Sequence, residues 1–285
     1  MKKRFICLFV YLLAVFGVIS LHALEIPADA VQIECELRPL SDSHKHHHIG
    51  AREHGTNPHI PVFEGLSTNW SGYAALTNLT HPTKGSVTNV SGSWIVPRVV
   101  KSAGSTTTYS SVWVGIDGYS DSTVEQIGTE HDWTSHGQQN YAWFEMYPAG
   151  GYEIVGFPVN VNDLISAQVL YSGNNVFTLT IINYTHGVYF VVPTSYTRSS
   201  VAQRTSAEWI VEAPSSYSGV LPLSDFGVAT LSNCMATING VSGGINNSKW
   251  QYDPLIMVTP NLTIKAVPTT LSNGGKNFSV VWEHQ

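Results

Sequence analysis

The chain has 285 residues and a formal net charge of -6, with only 12% of residues charged, where ~25% is ordinary for a soluble domain. The hydrophobic fraction of 43% supplies a core and excludes disorder driven by charge. The acidic balance lacks the basic footprint of a nucleic-acid binder.

The N-terminus carries Lys2, Lys3 and Arg4, then an apolar run from Phe5 to Ser20 and a small residue at Ala23. This order is that of a secretory signal peptide over residues 1–23. The competing reading is a retained single anchor, because the run approaches the length that spans a bilayer. No later stretch is apolar enough to cross one, so the expected product is secreted, with no membrane contact after cleavage. Cys7 lies in the signal. Cys35 and Cys234 remain, either paired or as two thiols.

Residues 24–66 hold Pro27, Pro39, Pro58 and Pro61, the tract His44-Lys45-His46-His47-His48 and no long apolar alternation. They read as a propeptide or flexible N-terminal segment. Closely spaced histidines can bind metal or charge as pH falls. No carboxylate or cysteine completes a closed site there, so no metal and no other cofactor is expected.

Residues 67–285 are predicted to be one β domain. Strands are expected at 70–76, 87–96, 110–117, 123–128, 141–147, 164–171, 176–183, 188–192, 207–212, 227–231 and 278–282, separated by Gly, Asn, Ser and Pro clusters. No window after the signal shows a 3.6-residue period, which points to a sandwich or barrel. Alternation assigns the faces. Glu208, Ile210 and Glu212 share one face, with the carboxylates ~13 Å apart along the strand, beyond the ~5–9.5 Å of a glycosidase pair. Gln126 shares a face with Val124 and Gly128. Tyr141, Trp143, Glu145 and Tyr147 lie opposite an ordinary core face of Ala142, Phe144 and Met146. That aromatic and acidic face either lines a substrate groove or meets solvent. There is no GxSxG elbow, HExxH motif, P-loop or dinucleotide fingerprint. His81, His131, His136, His186 and His284 fall in predicted loops or at the chain end, as surface residues.

The ordered set Asn69-Trp70-Ser71-Gly72-Tyr73-Ala74, Trp113-Val114-Gly115-Ile116-Asp117-Gly118, Glu125-Gln126-Ile127-Gly128-Thr129-Glu130, Trp143-Phe144-Glu145-Met146-Tyr147-Pro148, Ala207-Glu208-Trp209-Ile210-Val211-Glu212 and Asp225-Phe226-Gly227 resembles the glutamic peptidases, or eqolisins. The resemblance implies an all-β, concanavalin-like sandwich of two large antiparallel sheets with a concave substrate groove. It implies an acid-acting endopeptidase on polypeptide substrates, without metal or covalent intermediate. A monomer is expected. The resemblance maps the catalytic pair to Gln126 and Glu212, not Glu208, and places Trp70, Asp117, Trp143 and Glu145 in the groove. Glu208, on the same face as Glu212, is expected as a further substrate-binding carboxylate. The groove acid of the stretch after Gly128 is Glu130 or Asp132. An ordinary carboxylate pKa of about 4.3 would let Glu212 work as base and acid in mild acid. The rival readings are a secreted carbohydrate-binding or glycoside-hydrolysing sandwich, which leaves Gln126 without a role, and a non-catalytic structural β protein.

Overall fold

The computed structural model describes residues 24–40, 53–54, 65–102, 104 and 107–284. The predicted signal peptide and the histidine tract lie outside the described residues. In chain order the strands are β1 (Val31–Gln32), β2 (Glu36–Pro39), β3 (Glu53–His54), β4 (Gly65–Ser67), β5 (Trp70–Leu76), β6 (Val87–Ile95), β7 (Ser111–Ile116), β8 (Val124–Thr134), β9 (Gly137–Tyr147), β10 (Tyr152–Val155), β11 (Leu164–Gly173), β12 (Val176–Asn183), β13 (Val188–Val191), β14 (Ser206–Glu212), β15 (Ser215–Ser216), β16 (Gly219–Val220), β17 (Val228–Ile238), β18 (Val241–Gly243), β19 (Gln251–Val258), β20 (Ile264–Pro268) and β21 (Phe278–Trp282). Among the described residues the only helical turn is a 3-10 turn at Thr194–Tyr196.

One layer runs β2-β10-β9-β8-β7-β14-β5-β19, every neighbour antiparallel. The other runs β13-β12-β11-β6-β17-β21, also antiparallel. The expected all-β sandwich is present, with one refinement. β20 pairs with both β19 and β21, so the layers are one hydrogen-bonded sheet folded on itself and share no free edge on that side.

The core lies between the layers. Tyr73, Val112, Val114, Ile127, Phe144 and Trp209 from the first layer meet Val90, Trp94, Ile165, Val169 and Leu179 from the second. Two buried indoles cross the gap to satisfy their N–H groups. Trp94 Nε1 donates to Thr129 Oγ1 at 2.8 Å, and Trp209 Nε1 donates to the Ser91 carbonyl at 2.8 Å. His131 belongs to this interior. It is fully buried on β8, with Nε2 2.9 Å from Thr129 Oγ1, and burial pulls its pKa down to about 3. The expectation of a surface loop histidine fails because β8 runs six residues beyond its predicted end.

The strands at 70–76, 176–183 and 278–282 are as predicted. The elements absent from the sequence expectation are β1–β4, β10, β15, β16 and β18–β20. β19 carries Pro254 inside it, which removes a ladder donor and argues against a strand. Residues 24–40 carry two short strands. β1 lies parallel beside β13, and β2 extends the first layer beside β10. Cys35 is half-buried, Cys234 is buried, and both are free thiols.

Candidate active site

The first layer buries one face in the core, and its other face carries the polar and aromatic residues singled out by alternation. Strand register sets their order. Glu208, Gly115, Gln126 and Glu145 fall on one cross-strand row. Ile210, Trp113, Gly128 and Trp143 make the next alternate row, and Glu212, Ser111, Glu130 and Tyr141 the one after. Trp70 lies beside Glu212 on β5.

Glu212 is completely buried and held by N–H donors. Asn69 Nδ2 donates to Oε1 at 3.0 Å and Trp113 Nε1 to Oε2 at 2.8 Å. Burial pushes the carboxyl up to about 8, opposed by Trp70, Trp113 and Asn69. The ordinary value expected from sequence therefore does not hold: removal from water disfavours the anion more than these donors favour it. Trp70 and Trp113 meet edge to face, with centroids 4.9 Å apart.

Gln126 is equally buried, and its Nε2 donates to Glu145 Oε2 at 2.9 Å. The Trp113 indole spans the interval between the two proposed catalytic residues. Its Nε1 reaches Glu212, while its Cζ3 lies over Gly115 beside Gln126. A side chain at position 115 would put its Cβ 2.9 Å from that Cζ3 and 3.3 Å from the Gln126 Cβ. Only glycine leaves room for the indole there. Gln126 and Glu212 are thus brought onto one floor, one indole apart.

Glu208 occupies a different setting on the same strand. The loop between β7 and β8 folds across this end of the face: Tyr119 is buried and donates from its hydroxyl to Asp253 Oδ2 at 2.6 Å, and Gly118 packs against Val124 and Trp70. Beneath it Glu208 is raised well above the usual range by burial and by Asp117, Asp121 and Glu125, with Ser206 opposing. Asp117, expected in the groove, acts on the backbone. It sits at φ 72°, a left-handed conformation that Asp tolerates. Its carboxylate accepts the Gln203, Arg204 and Thr205 amides, each at 2.7 Å. It thereby fixes the turn that leads into β14. Burial and the neighbouring Asp121 push it up to about 7.

Glu130 and Asp132, the two alternatives for the groove acid, sit two apart on the same face of β8, both buried. Burial raises both. Trp143 packs with Trp70 and Trp113 in one apolar cluster on this face, and the half-buried Leu40, just after β2, rests against it. Sequence reading gave no role to Asn69 or Trp113, although both stand inside the quoted motifs. Trp113 was findable: it alternates outward beside Gly115.

This two-layer β fold sets a donor-held carboxyl and a carboxamide on one face, groups that can donate and accept protons and hydrogen bonds. The chain's relatives give its class. Residues 68–276 match the Peptidase A4 family, so the chain belongs to that family and is a peptidase. It is 26% identical over 240 residues to aspergillopepsin-2 of Aspergillus niger, covering 72% of this chain and 82% of the relative. It is 26% identical over 159 residues to scytalidopepsin B of Scytalidium lignicola, covering 53% of this chain and 60% of the relative. The fold is similar to that of scytalido-glutamic peptidase bound to a transition-state-analogue inhibitor, with TM-score 0.62 and 22% identity over 76% of this chain and 98% of that one. Aspergilloglutamic peptidase from Aspergillus niger gives TM-score 0.53 and 23% identity, over 62% and 99%.

Proposed function

We propose that the protein is a secreted, acid-acting endopeptidase that cleaves polypeptides with Glu212 and Gln126 as its catalytic pair. The observation that carries this reading is the holding of Glu212 by Asn69 and Trp113 on the floor that also presents Gln126. Burial keeps the Glu212 proton up to about pH 8, so in acid the residue enters the cycle as a carboxylic acid. It gives that proton to the scissile nitrogen as water adds to the carbonyl carbon. The carboxylate so formed takes the proton of the water, the C–N bond breaks, and the acid is restored. Gln126 cannot titrate. Its amide is oriented by Glu145, to which Nε2 donates, and in this reading the carboxamide is the hydrogen-bond donor to the oxyanion.

The experiment is digestion of denatured protein across the acid range by the wild type and Glu212→Gln, with and without pepstatin and EDTA. Activity insensitive to both reagents and absent from a folded Glu212→Gln protein is expected. Full activity in that variant overturns the pair, and glycan binding without proteolysis favours the carbohydrate reading.

The same reading makes residues 1–23 the export signal, 24–66 a propeptide and 67–285 the monomeric peptidase domain. N-terminal sequencing after acid incubation checks the boundary. An intact residue 24 at full activity removes the propeptide from the scheme.

A further inference from the structure

A cavity of about 750 Å³ lies among the turn before β5, β16, β19 and β20, and neither proposed catalytic side chain lines it. Its walls include Val220, Leu221, Pro222, Val258 and Pro260. Its volume is in the range of small-molecule sites, ~300–1,000 Å³. A smaller cavity of about 230 Å³ shares Val258 and Pro260 with it.

One cation stands in this apolar wall. Lys265 lines the cavity and is only 7% exposed. Its placement follows from the strand. Met257 pairs with Ala266 and Val258 with Ile264, so Lys265 is the extra residue of a β-bulge, the device that re-aims a side chain out of the ladder. The bulge is pinned by the amides of Glu283 and His284, which donate to the Lys265 carbonyl at 2.8 and 3.1 Å. Among the described residues no carboxylate pairs with the Lys265 ammonium. A buried cation without a counter-charge is costly, and Met or Leu would fill the same space without that cost.

We propose that this cavity is a binding site for a carboxylate with an apolar tail, the carboxylate meeting Lys265 and the tail lying along Val220, Leu221, Pro222 and Val258. Burial pulls the lysine down to about 8, so it is cationic through the acid and neutral range. Two sources share this chemistry: a medium-chain fatty acid and the free C-terminus of an apolar peptide. The site is independent of the catalytic assignment, and its test does not read proteolysis.

The test is isothermal titration calorimetry of the full chain near neutral pH with decanoate, decanol, and an apolar tripeptide with free or amidated C-terminus. Saturable one-to-one binding of decanoate or of the free-acid tripeptide is expected, and the tighter of the two identifies the source. Lys265→Met should weaken it by ~10–100-fold, the value of a hydrogen bond to a charged group, and should leave decanol unchanged. Leu221→Trp, which keeps the lysine and fills the cavity, should abolish it, and decides the matter if Lys265→Met does not fold. The proposal is overturned by no saturable binding of either acid, by decanol binding as tightly as decanoate, or by binding that survives both substitutions.

Discussion

Glu208 and Glu212 stand four residues apart on one strand and point to one face, yet the two ends of that face are built for different ends. At the Glu212 end the carboxyl meets indole and amide N–H groups from β7 and from the start of β5. At the Glu208 end it lies under the loop after β7, among the acids Asp117, Asp121 and Glu125. Both carboxyls are raised by burial. The difference is in what each can do after losing a proton. Glu212 has donors waiting for the anion, so it can cycle between acid and base. Glu208 would become an anion among anions. The surroundings, and not the alternation, set the carboxyl proposed as catalytic apart from Glu208.

The largest break in that contrast comes from Glu212→Gln. Turnover should fall by at least ~10³-fold, within the usual range of general acid–base loss, with an unchanged melting temperature in acid, below the ordinary carboxylate range, as the control for folding. Gln126→Ala should lower kcat by ~10²–10³-fold, the loss of one oxyanion donor, with a smaller change in KM. Trp113→Phe removes one donor to Glu212 while keeping an aromatic ring. Turnover should drop about tenfold, the size of one hydrogen bond to a charged group. Because that donor favours the carboxylate, its loss raises the Glu212 pKa. The alkaline limb of the pH–rate profile should then move to higher pH. A limb that stays in place or moves down would remove Glu212 as the group that sets it.

Much of this was legible before any coordinates. The outward faces of β8, β9 and β14 follow from period-two alternation, and the fold class from many short strands without helical periodicity. The alternation also separates Glu208 and Glu212 along the strand, too far for a glycosidase pair on that strand alone. Four features were not legible. The burial that lifts Glu212 to about 8 depends on neighbours from distant strands, which a local pattern does not contain. Asp117 looks like any outward acid at a strand end until its three amide donors, almost ninety residues away, come into view. β19 was hidden by Pro254. Lys265 was hidden because a bulge breaks the alternation used to read faces.

Glu208→Gln should have the smallest effect on activity and a distinct effect on stability. Its kcat/KM should stay within a few-fold of wild type, since a carboxamide fills the same volume and Glu208 touches none of the proposed reacting groups. The pH dependence of unfolding supplies the discriminating signal. The folded-state pKa of Glu208 is raised above its usual value near 4.5, so the unfolded chain gives up that proton first. The stability tied to it is complete below the ordinary carboxylate range and is lost as pH rises toward the folded value. Asp117, Glu125 and Glu212 shift in the same direction. The melting temperature of the wild type should therefore fall from mild acid to about pH 8. Glu208→Gln removes one contributor and should make that fall shallower. A melting curve whose pH slope is unchanged would show that Glu208 is solvated in the folded protein. The loop held by Tyr119 and Asp253 would then not seal that end of the face, and the contrast between the two carboxyls would have to rest on the donors around Glu212 alone.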